Sequence, residues 1–176
     1  MYYRILDLPE IPQELIDMTL DSVDNSGLSH YLTNIMRPMS DSNKKYPRTA
    51  LLPQVESWLR ENIIQDAIKY EIAVSVDDNG AERLFPHTDR AREFTLMYLL
   101  QTGGDQHKTV FYESKTIKDI DRMMSFDYSD LIEVDSIVVP LKKWTILNAQ
   151  AIHSVENIPY TRIAIQISIE YNPFAS

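Results

Sequence analysis

The spacing of apolar residues changes character about a third of the way along the chain. Over residues 12–23, Leu15, Ile16, Met18, Leu20 and Val23 recur at three- and four-residue intervals behind Pro12, which predicts a helix starting near that proline. Residues 53–67 predict a second helix, with Val55, Trp58, Leu59, Ile63 and Ile64 along one stripe. From Lys69 onward the pattern shortens to segments of strand length at 70–76, 83–87, 94–101, 108–113, 131–139, 144–148 and 162–171. The turn signals Asp78-Asn79-Gly80, Gly103-Gly104-Asp105 and Asn157-Ile158-Pro159 fall between them. Residues 1–68 are therefore expected to be mainly helical support and 69–176 a β-sandwich or barrel. Between the two helices, residues 33–49 lack periodicity and predict a long loop, either a lid or a solvated connection.

The last strand is the most informative. Alternation places Ile163, Ile165, Ile167 and Ile169 on one face and Arg162, Ala164, Gln166 and Ser168 on the other. Arg162 is the only lysine or arginine after Lys143. A small, polar face with a single cation suits a cavity holding a carboxylate, which a guanidinium grips bidentately; the plainer reading is a solvent-facing strand.

Composition narrows the chemistry. A chain of 176 residues with 44% hydrophobic and 24% charged residues is expected to form one folded domain. The absence of cysteine removes disulfides and thiolate ligands, leaving histidine and carboxylates as metal donors. The net charge of −9 argues against general nucleic-acid binding, and no run resembles a signal peptide or a membrane span, so a cytoplasmic location is expected.

Against that background His87-Thr88-Asp89, followed at a distance by His153, stands out. Two imidazoles and one carboxylate are the set that holds a non-haem Fe(II) on one face and leaves the remaining positions open.

The order strand, His87-x-Asp89, apolar strand with Tyr98-Leu99-Leu100, Gly103-Gly104 turn, Thr109-Val110-Phe111, then Trp144 to His153 and Arg162, resembles the Fe(II)- and 2-oxoglutarate-dependent dioxygenases. Within that superfamily it is most similar to the prolyl-hydroxylase-like and aspartyl/asparaginyl-hydroxylase-like groups. The resemblance covers about residues 70–171 and implies a mainly β fold with N-terminal helices, the double-stranded β-helix (jelly roll, cupin-like). It further implies iron ligation by His87, Asp89 and His153, with no catalytic side chain beyond these ligands, and pairing of Arg162 with the distal carboxylate of 2-oxoglutarate. Tyr98 and Thr109 would line the cosubstrate pocket, and O2 would be the oxidant. Asp89 argues against the related halogenases, which carry a small residue at that position.

Arg90 and Arg92, directly after the metal motif, are candidates for receiving a substrate carboxylate, or an ordinary solvated pair. His30 and His107 have no partner at ligating spacing and are expected at the surface. The reaction expected is hydroxylation of an amino acid side chain, free or within a peptide or protein. The alternative is a jelly-roll module that binds a metal without turnover.

Overall fold

The computed structural model describes residues 1–25, 48–49, 51–64, 70–77, 83–89, 92–117 and 126–169. Residues 33–47 of the expected loop and Arg90 lie outside these, as does His30. Two antiparallel sheets face each other. The larger has six strands in the order β1 (Tyr3–Leu6), β8 (Trp144–Asn148), β5 (Phe94–Thr102), β10 (Arg162–Ile169), β3 (Tyr70–Asp77), β2 (Arg48–Thr49). The smaller has four, in the order β4 (Arg83–His87), β9 (Ile152–Glu156), β6 (Lys108–Ser114), β7 (Leu131–Ile137). From β3 to β10 successive strands alternate between the sheets, apart from β6 and β7, which pair within the smaller one; this is the winding of a double-stranded β-helix, or jelly roll.

Helices cover the outer face of the larger sheet. In α1 (Gln13–Asn25) the residues Ile16, Thr19 and Val23 fall on one stripe and are buried. In α2 (Pro53–Asn62), whose proline occupies the first turn, Val55 and Leu59 are buried one turn apart. These side chains pack with Leu96, Tyr98, Leu100, Trp144, Ile146 and all four isoleucines of β10. Each such side chain, fully buried, contributes roughly 1.5–3 kcal/mol relative to exposure, so this layer holds the helical third onto the sheet. Two polar contacts fix its orientation: Trp144 Nε1 donates to Pro9 O at 2.8 Å, and Ile11 N donates to the Tyr98 hydroxyl at 3.3 Å.

The space between the sheets is filled by a second cluster, Met97, Leu99, Phe111, Ile137, Val139, Leu147 and Ala164, against which Tyr2 and Tyr3 pack. Both tyrosines stack on Phe111, with ring centroids at 5.2 and 5.9 Å. The strand β1, which begins at Tyr3, is a departure from the expected helical start; its pairing with β8 sets the two half-buried tyrosines against the edge of this cluster. The second departure is β9, which pairs with both β4 and β6 and completes the smaller sheet. Among the described residues no helix is long and apolar enough to cross a membrane.

Candidate metal centre

β4 and β9 run antiparallel with His87 directly opposite His153, and this register alone brings the two imidazoles together, at 4.4 Å between ring centroids. Asp89 lies two residues beyond His87, just past the strand end, where its backbone N–H donates to Ala149 O at 2.9 Å. One ligand atom from each of His87, Asp89 and His153 falls within 4.8 Å of the other two. Phe111, opposite His153 on β6, walls the group on the side of the inter-sheet core.

Both rings are turned the same way. Nδ1 of His87 lies 2.8 Å from Phe85 O, and Nδ1 of His153 lies 2.9 Å from Ala151 O. A carbonyl only accepts, so Nδ1 carries the proton in each ring and Nε2 presents its lone pair to the shared space. A carbonyl holding the outer nitrogen of a histidine is the usual device for orienting a metal ligand.

The electrostatics match. Burial, then the neighbouring His153, pushes the His87 imidazole down to about 4, so it stays neutral and available to a cation at ordinary pH. Burial raises the Asp89 carboxyl, but the Arg92 guanidinium beside it acts against this, and the group is held well below the usual carboxylate range. Two imidazole nitrogens and one carboxylate, converging on one space, fit a divalent transition metal, whereas hard cations such as calcium want an all-oxygen cage.

Arg162 opens β10 and is 2% exposed. Gly103, in the turn after β5, has a positive φ of 79°, and a Cβ there would stand 2.8 Å from Arg162 Cβ. The arginine extends along its own strand: Nη2 reaches Met97 Sδ at 3.3 Å, and Met97 is the register partner of Gln166, not of Arg162. Ser168 is tied through Arg92 to Asp89.

No family model matches the chain, and no curated protein matches it either. Solved structures do. A prolyl hydroxylase of Trichoplax adhaerens, in complex with a hypoxia inducible factor oxygen degradation domain peptide fragment, aligns at TM-score 0.54 and 11% identity over 96% of this chain and 83% of that one. A prolyl-4-hydroxylase of Pseudomonas putida aligns at 0.55 and 10%, over 97% and 92%. The chain has the prolyl hydroxylase fold. AviO1 of Streptomyces viridochromogenes Tue57 shares it, at TM-score 0.56 and 13% identity over 99% and 91%.

Not every candidate residue reaches the centre. Thr109 is buried on the same face of β6 as Phe111, toward the inter-sheet space. Tyr98 points the other way: it pairs with Ile165, packs on Trp144 at 4.7 Å and holds the backbone of Ile11, so it anchors the helical layer and does not line the pocket. The apolar run around it hid this, since Leu96–Leu100 offers no alternation from which to read a phase. Arg92 also departs from expectation: its guanidinium is bonded to Asp89 and Ser168 instead of being offered to a substrate carboxylate. His107 is buried, not at the surface, with its two ring nitrogens 2.8 Å from Gly104 O and 3.0 Å from Val139 O. Asn148 caps the turn into β9, its Oδ1 accepting from Gln150 N and Ala151 N.

Proposed function

We propose that this chain is an Fe(II)- and 2-oxoglutarate-dependent oxygenase, organised as a single domain, that hydroxylates an amino acid side chain, free or within a peptide or protein. The observation that carries the reading is the convergence of His87, Asp89 and His153 in a fold of this kind, with a buried arginine lying along the facing strand. His87 and His153 would bind the metal through Nε2 and Asp89 through its carboxylate. Arg162 would take the distal carboxylate of 2-oxoglutarate, since a buried guanidinium is best matched by a carboxylate in bidentate contact. Thr109, on the facing sheet, would line the same space. Iron bound there supplies the chemistry in which one O2 converts 2-oxoglutarate to succinate and carbon dioxide and places one oxygen atom in a C–H bond of the substrate.

The protein's own contribution is orientation and exclusion. The two carbonyl-held imidazoles fix the ligand directions, and the cluster of Phe111, Met97 and Leu99 keeps bulk water from the inner side. The peptide carried by the Trichoplax neighbour supports a peptide or amino acid as the substrate class.

The test is succinate release from 2-oxoglutarate by the Fe(II)-loaded protein across a panel of amino acids, peptides and small metabolites. Wild type is expected to form succinate, and His153→Ala to lose that turnover while keeping its circular dichroism spectrum. Equal turnover by His153→Ala would refute the assignment.

A further inference from the structure

Asp89 makes two different contacts with its two oxygens. Oδ2 accepts from Arg92 Nε at 2.8 Å, while Oδ1 is the oxygen turned toward His87, 3.9 Å from Nε2. Arg92 is in turn held from the opposite sheet, because its Nη1 donates to Ser168 Oγ at 3.1 Å. The two side chains of the ion pair are only 10% and 17% exposed, so the contact is largely shielded from solvent.

We propose that Arg92, held by Ser168, is the positioning residue for the carboxylate ligand: it occupies Oδ2 and leaves Asp89 to offer Oδ1 alone to the metal. This rests on the metal-centre reading above. Asp89 needs such a partner more than the histidines do. His87 and His153 sit within paired strands and each is oriented by a carbonyl two residues earlier. Asp89 lies beyond the end of β4, with only its backbone N–H bonded across to Ala149 O, and a carboxylate placed there can rotate or spread both oxygens onto a cation. An arginine three residues on removes that freedom with a charge-assisted bond of fixed direction. Ser168 adds a second constraint, since it belongs to β10, the strand that also carries Arg162. The carboxylate from the smaller sheet and the cosubstrate-facing strand of the larger one are thereby held in a fixed relation.

Anaerobic titration of the metal-free protein with Co(II), followed by its visible absorption, tests this without turnover. Arg92→Met is expected to bind Co(II) about 10- to 100-fold more weakly, the range found when partners of metal ligands are removed, and with altered absorption bands. Ser168→Ala should shift the affinity in the same direction by less. An Arg92→Met variant that keeps the wild-type fold by circular dichroism, and also binds Co(II) with wild-type affinity and spectrum, overturns the proposal. Should Arg92→Met not fold, Arg92→Lys and Ser168→Ala decide, because wild-type affinity in both overturns it and weaker binding in either supports it. His153→Ala, titrated alongside, separates the two readings. If it binds Co(II) as wild type does, the metal centre itself is wrong; if it alone loses affinity, only the role of Arg92 is.

Discussion

Neighbouring residues of β10 lie in two different environments. Ile163, Ile165, Ile167 and Ile169 are buried against the helices, each satisfied by contact alone. Arg162, Ala164, Gln166 and Ser168 are turned to the space between the sheets, and there satisfaction is incomplete. Gln166 Oε1, and Thr145 Oγ1 in the same cross-strand row through Met97, are buried with no hydrogen-bond partner among the described residues. A buried polar atom without a partner costs on the order of 1–3 kcal/mol. A strand selected only for stability would carry apolar residues on both faces, as doubly covered strands commonly do. The free energy given up on one face lies beside the groups that could use a ligand.

The largest expected effects come from cutting each face separately. Arg162→Ala should weaken 2-oxoglutarate binding to the metal-loaded protein by about 2–5 kcal/mol, roughly 30- to several-thousand-fold, because a buried carboxylate loses its charged partner. Ile165→Ala should instead lower the unfolding free energy by about 2–5 kcal/mol and leave cosubstrate affinity within a few-fold. Calorimetric titration and urea unfolding of both variants measure the pair. If each substitution moved both quantities alike, the two faces would not be functionally distinct.

Acid should act on the site and not on the helix-facing layer. The His87 imidazole takes up a proton near 4 when folded but near its ordinary 6.5 when unfolded, so between those values the unfolded chain holds more protons. Stability of the metal-free protein is therefore full above about pH 6.5 and falls as pH drops toward 4. Across that range the loss amounts to about 3 kcal/mol. The Asp89 carboxyl, also depressed, adds its own loss only below its unfolded value of 3.8. Urea unfolding at successive pH values should show this slope in wild type and in Ile165→Ala, and a much shallower one in His87→Asn. A slope unchanged in His87→Asn would assign the acid sensitivity to other groups.

The smallest effect sharpens the comparison most. Thr145→Val keeps the shape and removes a buried hydroxyl that has no partner, so the metal-free protein should gain about 1 kcal/mol. Loss of stability in thermal unfolding would mean that the hydroxyl is satisfied after all, and the polar face would then carry no such cost at this position.

The sequence by itself determined the two faces of β10, because strict alternation over eight residues admits one phase. It determined which residue types could bind a metal, because a chain without cysteine has few donors. It also carried the motif order by which the jelly roll was legible. Tertiary structure decided what local pattern could not encode. The run Leu96–Leu100 is apolar on both faces, so only pairing with Ile165 and the contact with Ile11 reveal that Tyr98 serves the helices. β9 is five residues long and mixes a histidine, a serine and a glutamate, so its strand character comes from the partners on either side. Arg92 looked like a surface cation because the residue that holds it, Ser168, is far away in sequence and adjacent only after the sheets have closed. Periodicity is a property of the backbone and survives in the sequence, whereas which buried charge meets which partner is settled only when the two sheets come together.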